Sequence, residues 1–127
     1  MTTKTPLTKA ETSGYTETSL HADVMRFVAE LQKRKDKRLL VTRFGKSPEG
    51  RDLPLLVLSK GGVKAPDMAV KSGKPVVLVI NGIHAGEVEG KEASLMLVRD
   101  LLDARRDELL EHVTLLVVPL FNPDGND

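Results

Sequence analysis

Pro75-Val76-Val77-Leu78-Val79-Ile80-Asn81-Gly82-Ile83-His84-Ala85-Gly86-Glu87 is the stretch that decides the fold. Its first half is short, β-branched and apolar without alternation, which suits a central strand covered on both faces. Its second half is a glycine-punctuated polar turn. A helical pattern follows from about Glu87 to Asp103, with Val88, Leu95, Val98, Leu101 and Leu102 forming most of one stripe. Residues 107–111 read as another helical turn. Val113-Thr114-Leu115-Leu116-Val117-Val118-Pro119-Leu120 is a second buried strand, and it runs into Phe121-Asn122-Pro123-Asp124-Gly125-Asn126-Asp127. Strand, helix, strand in this order predicts a βαβ unit, so the two strands should be parallel and joined by a right-handed crossover.

Parallel strands end on one edge of the sheet, and ligands of open α/β sheets bind at that edge. The sequence therefore predicts that His84, Glu87, Asn122 and Asp124 converge there if the strands are neighbours. Imidazole and carboxylate are donors that suit zinc, and Gly82 and Gly86 allow the sharp turn that would bring both to one ion. A catalytic zinc normally has three protein ligands and a water. The other histidines are His21, early in the first predicted helix, and His112, at the wrong end of the second strand. Neither is well placed, so the third ligand is expected outside this sequence. On spacing alone a second reading stays open, in which Glu87 favours a helix N-terminus and His84 is an ordinary loop residue. Asn-Pro-Asp-Gly is likewise a good turn that requires no chemistry.

Upstream, residues 1–14 are polar and aperiodic and read as a flexible leader ahead of one domain at 15–127. Leu20, Val24, Phe27, Val28 and Leu31 fall at helical spacing, with Thr18 or Ser19 available as a cap. The basic run Lys33, Arg34, Lys35, Lys37 and Arg38 closes that helix. Cations suit a helix C-terminus, and no aromatic residues interleave them, so a solvated end is preferred over a nucleic-acid patch. Residues 39–44 and 53–59 read as a β-hairpin around Ser47-Pro48-Glu49-Gly50-Arg51, and residues 61–74 as a loop.

The 127 residues suffice for one domain, 29% of them are charged, and the net charge is +1, so no strong field directs the chain to nucleic acid or anionic membrane. There is no cysteine, which excludes a disulfide scaffold. No apolar run reaches the roughly 18 residues of a membrane span. The polar N-terminus carries no targeting signal, and the compartment stays open.

Taken in order, the helix, the Ser47–Arg51 hairpin, the strand into Gly82-Ile83-His84-Ala85-Gly86-Glu87 and the strand into Asn122-Pro123-Asp124-Gly125 resemble the carboxypeptidase A/B-like zinc metallocarboxypeptidases from about Tyr15 to Gly125. The resemblance implies an α/β/α sandwich with a mixed sheet, of which this chain supplies about the first four strands. It implies one zinc ion with His84 and Glu87 as its first two ligands and a third, histidine, ligand beyond residue 127. A carbonyl-polarising arginine and a general-base glutamate are also implied downstream, so the chain alone is expected to be inactive. Asn122 and Asp124 are implied to shape a wall of the active site. The implied substrate is the C-terminus of a peptide or protein, hydrolysed at its last peptide bond. Gly86 departs from many digestive-type members, which place a long residue before the ligand glutamate, so substrate preference stays open. A zinc deacylase resembling succinylglutamate desuccinylase or aspartoacylase is the alternative, disfavoured by Asp124-Gly125 and by the Ser-Pro-Glu-Gly-Arg hairpin. A non-catalytic α/β binding domain is the third reading.

Overall fold

The computed structural model describes residues 4–103 and 106–127. In chain order the elements are α1 (Lys9–Thr12), α2 (His21–Gln32), β1 (Leu39–Lys46), β2 (Asp52–Leu58), α3 (Pro66–Lys71), β3 (Val76–Ile80), α4 (Glu89–Leu102), a 3-10 turn (Asp107–Glu111), β4 (Thr114–Val118) and α5 (Pro123–Asn126). The sheet order is β1-β2-β4-β3. β1 and β2 form the predicted antiparallel hairpin, β2 pairs antiparallel with β4, and β3 pairs parallel with β4 from Val76 opposite Thr114 to Ile80 opposite Val118. A short antiparallel hairpin thus joins a βαβ unit into one mixed sheet.

One face of the sheet carries the core. α2 presents Val24, Phe27, Val28 and Leu31, and α4 presents Leu95, Val98, Leu101 and Leu102, against Leu56, Leu58, Leu115 and Val117. These positions recur at i, i+3, i+4 and i+7 on α2 and at i, i+3, i+6 and i+7 on α4, so both helices bury a continuous stripe. Each fully buried leucine contributes about 1.5–3 kcal/mol of transfer free energy. The opposite face is open. Leu40, Thr42, Leu55, Val57, Leu116 and Val76 line an apolar groove of about 490 Å³ there, flanked by α3. Among the described residues, α3 alone stands for the second helical layer of an α/β/α sandwich.

Four expectations need correction. Among the described residues β3 lies at an edge of the sheet rather than at a centre covered on both sides, and Val76, Val77, Leu78 and Ile80 are exposed. An apolar run states what a strand needs to bury; it does not say that the same chain supplies the cover. The stretch 61–74 holds α3, whose Pro66 stands in the first turn, where a missing N–H costs nothing. α2 begins after Leu20, whose amide donates to Asp23 Oδ2 at 3.1 Å; neither Thr18 nor Ser19 caps it. Finally, residues 8–12 of the expected leader form a capped turn of helix. Thr8 Oγ1 accepts from the Glu11 amide at 3.2 Å and Glu11 Oε2 from the Thr8 amide at 2.8 Å, a reciprocal pair that satisfies two orphan donors. This turn is anchored by Arg99 of α4, which donates to Glu11 Oε2 at 2.7 Å. Residues 1–3 of the leader lie outside the described residues.

Candidate metal centre at the carboxyl edge of the sheet

The β3–β4 pairing does what the topology predicts: both polar loops leave the sheet at the same edge. The hydrogen-bond ladder continues past the strands. The Phe121 amide donates to the Asn81 carbonyl at 2.8 Å and the Asn122 amide to the Gly82 carbonyl at 2.9 Å. Gly82 then turns the chain with φ at +63°, and a Cβ there would stand 2.7 Å from Leu120 Cδ1. The left-handed conformation is what calls for glycine here, since Leu120 Cδ1 is the end of a flexible side chain that can give way.

His84 and Glu87 lie on the loop that follows. His84 Nδ1 and Glu87 Oε1 are 3.1 Å apart, and the Glu87 amide donates to the His84 carbonyl at 3.1 Å, so the backbone folds the two side chains toward each other. Both are mostly exposed, at 77% and 65% of the side chain. Two donors on one tetrahedral zinc, each at about 2.1 Å, stand about 3.4 Å from one another. The observed separation therefore fits a shared ion. The donor set, one imidazole nitrogen and one carboxylate oxygen, fits zinc as well. Among the described residues no third group completes it: no cluster of three or more His, Cys, Asp or Glu is present. His21 is engaged elsewhere, its Nε2 donating to the Asp52 carbonyl at 2.8 Å. His112 caps the 3-10 turn that precedes β4, at the opposite end of the strand from the site.

The Asn122–Asp127 turn packs against this loop. Asn122 Nδ2 donates to the Ile83 carbonyl at 3.3 Å, while its Oδ1 accepts from the Gly125 amide at 3.0 Å. A Cβ on Gly125 would come within 2.7 Å of Asn122 Nδ2 and 3.2 Å of Ala85 Cβ. The two loops are therefore in contact, and glycine at 125 makes room for that contact. Asn122 does line the loop that bears His84. Asp124 turns the other way. Its Oδ1 accepts from Ser47 Oγ at 2.7 Å and from Arg51 Nη1 at 2.8 Å, and its Oδ2 from the Glu49 amide at 3.0 Å. Burial alone would raise the Asp124 carboxyl, but these donors hold it below its ordinary value. Asp124 thus fastens the turn to the Ser47–Arg51 hairpin, which gives that hairpin sequence a role the sequence alone did not assign.

Lys91 was also missed. It is fully buried, one turn beyond Glu87, and its ammonium donates to the Ser19 carbonyl and to Asn126 Oδ1. The signal was there in the spacing, because Lys91, Leu95, Val98 and Leu102 occupy one helical stripe and place a lysine on the core face.

A mixed sheet that brings a histidine and a glutamate together at the carboxyl ends of parallel strands is an α/β domain with its candidate site at the edge where ligands of open sheets bind. The profile of the zinc carboxypeptidase family matches residues 24–127, and the chain belongs to that family. The chain is 35% identical over 83 residues to carboxypeptidase B of Astacus astacus, covering 64% of this chain and 24% of that protein. It is 37% identical over 84 residues to carboxypeptidase 2 of Trichophyton tonsurans, covering 63% of this chain and 15% of that protein. Among solved structures, carboxypeptidase A from Helicoverpa armigera superposes with a TM-score of 0.74 at 26% identity, covering 87% of this chain and 26% of the other. A metallo-carboxypeptidase from Burkholderia cenocepacia gives 0.65 at 28% identity, covering 83% and 27%. The chain spans about a quarter or less of the length of the two curated relatives named above.

Proposed function

We propose that the protein to which these residues belong is a zinc-dependent carboxypeptidase that hydrolyses the C-terminal peptide bond of peptides or proteins, and that His84 and Glu87 are two of its metal ligands. The observation that carries this reading is the His84–Glu87 pair, 3.1 Å apart on a glycine-rooted loop at the carboxyl edge of the sheet, in a chain of this family. When bound there, zinc supplies Lewis acidity, lowering the pKa of a coordinated water to about 7 and polarising the scissile carbonyl.

The chain's own residues contribute placement. His84 offers Nδ1 and Glu87 offers Oε1 from a loop whose start is fixed by Gly82 and whose end enters α4. Gly90 brings the first turn of α4 against Asn81, where a Cβ would stand 2.6 Å from Asn81 Oδ1. Asn122 holds the Ile83 carbonyl and keeps the neighbouring wall in register with the ligand loop. Gly86 leaves the position before Glu87 without a side chain, so substrate contacts there come from other residues.

The test uses the full-length protein, zinc, and two versions of one peptide, with a free C-terminal carboxylate and with an amidated one. Release of the last residue from the free acid only, abolished by His84→Ala and by Glu87→Ala, supports the reading. Turnover of a small N-acyl amino acid with none of the peptide would sink it in favour of the deacylase. Neither activity, with no zinc bound, would leave a binding domain.

A further inference from the structure

A buried lysine in the first turn of a helix is costly twice: its charge is desolvated, and it stands at the positive end of the helix dipole. Lys91 of α4 is such a residue, with no accessible surface. Burial draws its ammonium below its ordinary value, opposed by Glu92, Asp127 and Asp23 nearby. Its Nζ donates to two acceptors on two other segments, the Ser19 carbonyl ahead of α2 and Asn126 Oδ1 in α5. Asn126 Nδ2 donates to the same Ser19 carbonyl at 3.2 Å, so the three groups close a small network. Within α5 the Asn126 amide donates to the Asn122 carbonyl at 3.1 Å, and Asn122 in turn holds Ile83, one residue before His84. Between them, Gly125 meets Ala85, one residue after His84.

We propose that Lys91 is a positioning residue for the His84–Glu87 pair: by tying Asn126 to α4 it clamps the Asn122–Gly125 turn onto residues 83–85 and fixes the loop that presents both donors. The consequence for zinc rests on the function proposed above; the clamp itself does not. The ligand loop lies between two supports, the first turn of α4 at its end and the α5 turn at its flank. Lys91 is the side chain that joins those supports. An apolar side chain of similar length fills the same space but cannot hold Asn126, and it also removes the cost of a buried charge, which often leaves overall stability unchanged or higher.

The test is amide hydrogen exchange on the whole chain with Lys91→Met and Asn126→Ala, beside thermal unfolding. The expected result is faster exchange, by about tenfold or more, at the Asn122, Gly125 and Glu87 amides in both variants, as loss of a charged hydrogen bond implies. Amides in β2 and β4 should not change, and the Lys91→Met unfolding midpoint should be held or raised. Asn126→Asp, which keeps an acceptor for the ammonium, should restore slow exchange. Unchanged exchange at those three amides in either variant overturns the proposal, and so does a uniform increase across sheet and loop, the mark of a merely structural role. If Lys91→Met does not fold, Asn126→Ala and Asn126→Asp decide alone. A separate zinc titration of the unaltered full-length protein, followed at the His84 ring resonances, reports on the metal reading without bearing on the clamp.

Discussion

Two loops leave the parallel strands at the same edge, and they are built in opposite ways. The loop that follows β3 is rooted by Gly82 but leaves His84 and Glu87 mostly in solvent, with each other as the partner. The turn that follows β4 is fastened on every side: Asp124 to Ser47, Glu49 and Arg51, Asn126 to Lys91 and Ser19, and Asp127 Oδ1 to the His21 amide at 2.9 Å. The difference separates two tasks. On the function proposed above, donors for a metal must be reachable, whereas the wall beside them must be stiff. A stiff turn next to a lightly held loop lets one edge of the sheet do both.

If that division is right, substitutions in the second turn should cost stability and those at the tip of the first should not. The largest effect is expected for Gly125→Val. Its branched side chain has no room beside Asn122 and Ala85, so we expect a loss of about 2–3 kcal/mol, read from a denaturant midpoint. An unchanged midpoint would mean that the two loops are not in contact and would remove the basis of the comparison. Asp124→Ala comes next. It leaves the Ser47 hydroxyl, the Glu49 amide and the Arg51 guanidinium without their shared acceptor, so the midpoint should fall, by less than in Gly125→Val. Arg51→Ala tests the same contact from the hairpin side and should fall short of Asp124→Ala, since Ser47 and Glu49 still hold the carboxylate.

Acid sharpens the same contrast. Asp124 is held below its ordinary 3.8, against the pull of its own burial, by Ser47, Glu49 and Arg51. Glu92, whose burial also pushes it up, is held below its ordinary 4.5 by Ser19 and Thr18. A carboxyl with a depressed folded pKa stabilises the fold fully above its unfolded value, and that contribution disappears as pH falls through the folded value. Stability should therefore be flat from about pH 7 to about pH 5 and drop below about pH 4. Asp124→Ala, already lacking the contribution, should show the shallower drop. Equal slopes for the two proteins would show that Asp124 is not held in its charged form by the fold.

The sequence made much of this legible, for a physical reason. Period and order are local and additive, so the stripe of α2, the hairpin and the parallel β3–β4 pair could all be read from residue spacing, whereas spacing alone leaves His84 and Glu87 open between a ligand pair and ordinary loop and helix-terminus residues. What it hid depends on who supplies cover. The run from Val76 to Ile80 is apolar on both faces wherever it sits, and only the strand order shows it at an edge. Glu92 reads as a solvated helix residue until the Ser19 amide and the Thr18 hydroxyl are seen to converge on it from a segment 73 and 74 residues away. Asp124 reads as a wall residue beside the site, and its actual bond to the hairpin crosses 77 residues to Ser47. Contacts of such separation between single polar side chains leave no periodic trace.

The smallest stability effect is expected where the functional effect is largest. His84→Ala removes a side chain with 77% of its surface in solvent and a single partner, itself 65% exposed. An exposed pair of this kind contributes between nothing and about 1 kcal/mol, and much of that is offset by the ordering of two side chains. The unfolding midpoint of His84→Ala should therefore shift by no more than about 0.5 kcal/mol without metal. With zinc present the unaltered full-length protein should gain stability as the ion binds the folded state, and the variant should not. Differential scanning calorimetry in chelator and in zinc separates the two terms. A metal-free loss in His84→Ala as large as that of Gly125→Val would show that the exposed loop is part of the scaffold after all, and the contrast between the two loops would fall with it.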